Sequence, residues 1–145
     1  MIYNFKDQLN VGADGEKFFM NLYPKLVKTS GLISDFEYNG KGVELKTDTY
    51  AMDKTPNFFM EKLSSVDSGK IGGPWRAAQD NVDFFVYMFI KDRKCFWFRS
   101  KALVAFLDQY IVDKKPRSAN IVNTSWTAMG YLIPRTAVTH LLLPL

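Results

Sequence analysis

Asp35, Glu44 and Lys46 flank an Asn39-Gly40 dipeptide, and their types and spacing suit phosphate chemistry. Asn-Gly favours a two-residue hairpin turn, because both central residues must take positive φ. Pairing the strands through that turn sets Tyr38 opposite Lys41 and brings Asp35 opposite Glu44 on one face, roughly 5 Å apart. Directly opposed carboxylates repel, so this pairing calls for a cation between them. Lys46 lies two residues beyond Glu44 and shares its face, while Val43 and Leu45 point into a core. Two carboxylates are hard oxygen ligands, and Mg²⁺ is held by one or two of them together with water and substrate phosphate. A lysine beside them can orient a water or offset charge developing on a phosphate. A cation in that place can make a nucleophile from bound water at neutral pH.

Two further carboxylates join from flanking segments. Glu61 belongs to an alternating stretch, Asn57–Leu63, in which Asn57, Phe59 and Glu61 share one face and Phe58 and Met60 the other. It is read as a strand neighbouring the hairpin, so Glu61 would stand in or just behind the ligand shell. Glu16 falls at the edge of an apolar stripe of Phe19, Leu22, Tyr23 and Leu26 at helical spacing. It is either a solvated carboxylate favoured in a first helical turn or a group looking inward at the hairpin. For Glu44-Leu45-Lys46 alone, the plain alternative is a solvated strand face with cross-strand charge pairing. Asp35 and Glu61 together tip the balance toward a site.

The elements that must position these groups follow from the pattern. Asp14 reads as a helix N-cap, Pro24 as a kink or break, and Gly31 as the helix end. Ile33–Asp48 is the hairpin. Ser64–Pro74 reads as a long loop whose glycines indicate mobility or close backbone approach. Trp75–Gln79 reads as a short helix, Val82–Ile90 as a buried strand, and Lys94–Arg99 as its hairpin partner. Ser100 is expected to cap a helix carrying Leu103, Phe106, Leu107 and Tyr110. Short strands are expected near Ile121-Val122 and at Tyr131–Ile133, the latter confined to an edge or end by Pro134. This order predicts an α/β fold, a mixed central sheet with helices packed against it.

Composition narrows the function classes. The chain has 145 residues, enough for one domain with a core, and 47% are apolar, which excludes a disordered chain. It holds no apolar run of the roughly 20 residues that a membrane helix needs. A single cysteine, Cys95, and a single histidine, His140, exclude a zinc cluster. Cys95 fits a reducing compartment and reads as a buried apolar residue, and His140 as a packed structural one. The opening residues lack signal-peptide order, so the expected location is cytoplasmic. The net charge of +4 is compatible with a polyanionic partner without identifying one. Gly69-Lys70-Ile71-Gly72-Gly73 lacks the P-loop order. Lys70, Trp75 and Arg76 are read as contacts to phosphate or a base, with plain core as the equal alternative for Trp75. Lys114, Lys115 and Arg117 either track a DNA backbone or form a solvated helix end.

A helix bearing Glu16, then Asp35, then Glu44-Leu45-Lys46 on a hairpin, resembles the PD-(D/E)xK nuclease superfamily. The similarity is to its small phage-type and Holliday-junction-resolvase-like members. Ser34 stands where the name has proline. The stretch Thr55–Glu61 is similar to a Thr-Gly-Asn-apolar-apolar-Glu segment of small phage proteins. The resemblance covers about residues 14–90 of a single domain, 1–145. It implies a restriction-endonuclease-like core, in which a helix, a three-stranded antiparallel meander, a helix and a further strand follow in order. It further implies an Mg²⁺- or Mn²⁺-dependent endodeoxyribonuclease that leaves a 5′-phosphate. Asp35, Glu44 and the Leu45 carbonyl would hold the metal, Lys46 would position or activate water, and Glu16 would match the resolvase-branch helix glutamate. A phage-encoded member would work in the host cytoplasm. So short a chain suits structure-selective cutting of DNA, and a homodimer is the simplest way to cut both strands. The competing readings are a non-catalytic nucleic-acid-binding or scaffolding protein on the same fold, and a partner-binding protein using Trp97, Phe98 and Trp126 as exposed aromatics.

Overall fold

The computed structural model describes every residue except Met1, Asn4, Leu32 and Leu145, with side chains described from Ala13 onward. In chain order, β1 (Ile2–Tyr3) leads into α1 (Phe5–Leu22), followed by β2 (Leu26–Lys28), β3 (Phe36–Tyr38) and β4 (Lys41–Asp48). A 3-10 turn at Met52–Lys54 precedes β5 (Asn57–Ser65), β6 (Lys70–Ile71), α2 (Gly73–Gln79) and β7 (Phe84–Phe89). Then come β8 (Lys94–Arg99), α3 (Ser100–Lys114), β9 (Ser118–Asn123) and β10 (Thr127–Pro134). The α/β expectation holds, but the strands form two five-stranded sheets and not one central sheet.

The first sheet runs β2-β3-β4-β7-β8 and holds the hairpin. Its first three strands form an antiparallel meander, β7 pairs parallel to β4, and β8 returns antiparallel to β7. All six β7 residues are buried. That follows from its central, parallel position with both faces covered. The second sheet runs β1-β9-β10-β5-β6, with β5 paired to β10 and β6.

The third strand of the meander is therefore Leu26–Lys28, which the helical stripe had assigned to the helix, and not Asn57–Leu63. Helix α1 spans Phe5–Leu22, so Asp14 lies inside it and is no cap, and Pro24 falls beyond its end. Leu22 is exposed, whereas Leu26 packs with Phe19 and Phe36 from a strand. The apolar spacing was real, but the pyrrolidine ring after Tyr23 ends the helical path and the next apolar residue reaches the same core in extended form. Gly12 and Gly15 make the first half of α1 read as a poor helix. Gly15 has a packing reason: a Cβ there would meet Thr47 Oγ1 at 2.2 Å, so α1 crosses β4 at closest approach.

The expected loop 64–74 is largely structured, since β5 continues to Ser65 and β6 turns back against it. Ser100 begins α3 without capping it. Its residue is fully buried, and its hydroxyl makes no hydrogen bond. Trp97 and Phe98, expected as exposed aromatics, are core residues at 1% and 0% exposure. Pro134 closes β10 at its end, as anticipated.

The core has two parts, one on each face of the first sheet. On one face Val43, Phe84, Val86, Met88 and Trp97 pack with Phe19 of α1. On the other face Phe85, Tyr87, Phe89 and Phe98 meet Phe58 and Met60 of β5 and Leu103 and Leu107 of α3. Phe58 is the centre of this second part. Its ring lies 4.8 Å from Tyr87, 5.1 Å from Phe96 and 5.9 Å from both Phe89 and Phe98. Burying such a ring contributes roughly 1.5–3 kcal/mol before ring-pair geometry is added. The two sheets are held together by this contact, and the face of β4 bearing Glu44, Lys46 and Asp48 looks into the space beside it.

Candidate active site

The hairpin turns as its dipeptide requires, with Asn39 at φ 52° and Gly40 at φ 78°. Two turn residues give the pairs Tyr38 with Lys41, Glu37 with Gly42, and Phe36 with Val43. The expected Asp35–Glu44 pair is not part of this ladder: β3 begins at Phe36, and the Asp35 N–H donates to the Val43 carbonyl at 3.0 Å, one residue off the register, while the two carboxyl groups still come together as side chains. Beyond this point β3 has ended and the edge of β4 is open. The Asp35 side chain takes the place of the missing strand: its Oδ2 accepts the Leu45 N–H at 3.0 Å. Within a strand, the N–H and C=O of one residue project to the same side. The Leu45 carbonyl therefore projects toward the Asp35 side of the strand. Asp35, Glu44 and this carbonyl form one cluster of oxygen donors.

Burial pushes the Glu44 carboxyl up to about 8, and the Asp35 carboxylate beside it adds to the effect. Arg76 of α2 opposes the shift, and Asp80 reinforces it. The Glu44 carboxyl, desolvated beside a second carboxylate, keeps its proton near neutral pH unless a cation replaces it. No group of three or more His, Cys, Asp or Glu side chains that could bind a metal occurs among the described residues. The donor set is two carboxylates and a carbonyl, which fits a hard divalent cation that completes its shell with water and phosphate.

Lys46 follows on the same face and lines a cleft of about 900 Å³ between the two sheets. Glu61 reaches this cleft from β5, in the second sheet and not as a neighbouring strand of the hairpin. Burial raises its pKa, while the Lys46 ammonium and the Gly73 N–H pull it back. Two glycines make room for it. A Cβ on Gly72 would come within 2.4 Å of Glu61 Oε2, and one on Gly73 within 2.3 Å of the Glu61 carbonyl oxygen. Close backbone approach, and not mobility, is thus the reason for Gly72-Gly73. Glu16 also lines the cleft, from the middle of α1 and not from its first turn, and is ion-paired with Lys28.

Comparison of the chain with known protein families, curated proteins and solved structures found no match.

Arg76 acts electrostatically on Glu44 and is exposed, 3.4 Å from Asp80. Trp75 takes the core alternative. It is 8% exposed, and its indole N–H donates to Asp108 at 2.9 Å, so it offers no face to a base. Lys70 is exposed on the edge strand β6 and has no part in the carboxylate cluster. His140 is exposed against the Phe106 ring and not packed inside. Cys95 is half-buried, with its thiol pushed up to about 11 by burial.

Two residues of the cleft were missed in the sequence. Tyr87 donates its hydroxyl proton to Asp48, and the same oxygen accepts the Phe59 N–H at 3.1 Å. It links β4 to β5 across the sheets. Asp48 had a signal, since it continues the alternating face of Glu44 and Lys46. Tyr87 is a lone hydroxyl in an apolar run, which needed a polar partner once buried.

Proposed function

We propose that this chain is a metal-dependent deoxyribonuclease of the PD-(D/E)xK type, with Asp35, Glu44 and Lys46 as its catalytic set. The observation that carries the reading is the Asp35 carboxylate beside that of Glu44 and bonded to the Leu45 amide, with Lys46 next along β4. The element order supports it too. Helix α1, the meander β2-β3-β4, helix α2 and the parallel strand β7 follow in the sequence that the superfamily core requires.

In this reading Asp35, Glu44 and the Leu45 carbonyl would hold Mg²⁺ or Mn²⁺. An ion held there would supply Lewis acidity toward a phosphoryl oxygen and toward bound water. Lys46 donates hydrogen bonds that orient the attacking water and offset the charge building on phosphorus. The water oxygen would bond to phosphorus as the bond to O3′ breaks, with the water giving up a proton to solvent and the leaving O3′ taking one from it, which leaves a 5′-phosphate and a 3′-hydroxyl. Glu61, held by the Gly73 N–H, steers the Lys46 ammonium from the opposite wall. Arg76 of α2 acts on Glu44 and would meet the phosphate from that side.

The test is a panel of labelled single-stranded, duplex, flap and four-way DNAs with Mg²⁺, Mn²⁺ or EDTA. Cleavage in either metal, none in EDTA and none by Glu44→Ala is the expected result. Salt-sensitive binding without cleavage in any metal would instead favour a non-catalytic DNA-binding protein on this fold.

A further inference from the structure

We infer that Tyr87 is a positioning residue of the site: its hydroxyl ties β4 to β5 and so sets Lys46 against Glu61 across the cleft. For its effect on cleavage this rests on the nuclease reading above. Tyr87 is fully buried and carries the one hydroxyl in the apolar strand Phe84–Phe89. A buried hydroxyl needs a partner, and this one has two, in different sheets. It donates to Asp48 Oδ2 on β4 and accepts the Phe59 N–H of β5 at 3.1 Å. The Phe59 N–H can reach it because β6 pairs with β5 only at Leu63 and Ser65, which leaves β5 an open edge at Phe59.

The two anchor points stand beside the two groups they steady. Asp48 is two residues from Lys46 along β4, and Phe59 is two residues from Glu61 along β5, so each anchor shares a face with its working group. Lys46 is also the register partner of Tyr87 in the parallel β4–β7 pair. Asp48 is itself fixed, since its Oδ1 accepts the Tyr50 N–H at 2.8 Å. Burial, and then the Asp48 carboxylate, push the Tyr87 hydroxyl above its ordinary value, so it remains a donor at neutral pH. The ring is seated independently of the oxygen, 4.8 Å from Phe58 and 5.1 Å from Phe89. Removing the hydroxyl alone therefore keeps the packing and releases the two walls. The charge that Lys46 places against Glu61 depends on how those walls are spaced.

Tyr87→Phe in the intact chain is the test. In single turnover at saturating Mn²⁺ and DNA, it should slow cleavage about 10-fold or more and leave Mn²⁺ affinity within a few-fold, because Asp35 and Glu44 lie outside the link. Val138→Ala, a core truncation away from the cleft, should lower the melting temperature and keep the rate within a few-fold of the wild type when assayed below its transition. Asp48→Ala, at the other end of the same hydrogen bond, carries the test should Tyr87→Phe fail to fold. The spacing is also read without cleavage, as the coupling between Lys46→Met and Glu61→Gln in denaturant midpoints. That coupling should fall to about half or less once Tyr87→Phe is added. A wild-type rate in Tyr87→Phe, a loss matched by Val138→Ala, or an unchanged coupling would overturn the positioning role. A coupling that falls in a protein that cleaves no DNA would sink the nuclease reading alone. A protein that cleaves and keeps its coupling without the hydroxyl would sink this inference alone.

Discussion

The Leu45 amide donates to the Asp35 carboxylate at 3.0 Å, although Asp35 lies outside the strand that pairs with β4. One side chain thus finishes the ladder and turns its carboxylate toward Glu44. Asp35→Asn keeps an acceptor for the Leu45 N–H but removes the charge. It should leave the melting temperature nearly unchanged and cut Mn²⁺ binding and DNA cleavage roughly 100-fold or more. Asp35→Ala should also lose about 1 kcal/mol of stability, because the edge amide loses its partner. Thermal melts beside calorimetric Mn²⁺ titration separate the two effects.

Glu44 gives the protein a pH-dependent stability. Its carboxyl is pushed from the ordinary 4.5 up to about 8, first by burial and then by Asp35. Between those values the folded chain holds a proton that the unfolded chain has released, so stability falls as pH rises through the window. The metal-free protein should lose on the order of 1–3 kcal/mol between about pH 5 and pH 8 from this group. Glu44→Gln should flatten that slope. Millimolar Mg²⁺ should restore stability at the alkaline end in the wild type and not in Glu44→Gln. Denaturant melts across pH with and without Mg²⁺ measure both.

Gly72 should be sensitive through Glu61. A methyl group at Gly72 would stand 2.4 Å from Glu61 Oε2, displacing the carboxylate that faces Lys46. Gly72→Ala and Glu61→Gln should both lower cleavage about 10- to 100-fold, as losses behind the ligand shell do, with Mn²⁺ affinity held within a few-fold. Equal loss of metal binding would instead make Glu61 a ligand.

The seating of α1 on β4 rests on Gly15 against Thr47. Gly15→Val should destabilise the fold by about 1–3 kcal/mol, the usual cost of overpacking. Thr47→Ala removes the Oγ1 and Cγ2 atoms that lie within 3 Å of the added carbon and should recover part of the loss. A double-mutant cycle on denaturant midpoints reads that coupling.

What could be read from the sequence was set by range along the chain. The hairpin, its register and the shared face of Glu44 and Lys46 depend on one dipeptide and a period of two, both local. The alternation of Phe58, Phe59 and Met60 is equally local, and the faces came out as read. The sheet to which that strand belongs is not local. The free edge of β4 goes to β7 in parallel, and β5 pairs with β10, far along the chain. Glu61 reaches the cleft all the same, from the opposite wall. The start of α1 was hidden because Gly15 serves a contact with Thr47 that no helical pattern encodes. Leu26 kept its core partners while changing its secondary structure, so the stripe gave the burial and misled on the element.

The central claim is tested most directly by single-turnover cleavage of labelled DNA in Mn²⁺ by the wild type, Glu44→Ala and Lys46→Ala, each shown folded by circular dichroism. The account predicts cleavage by the wild type, abolished by EDTA, and a loss of roughly 100-fold or more in each variant. Undiminished cleavage by clean, folded Glu44→Ala, or no cleavage of any DNA by the wild type in either metal, would contradict it.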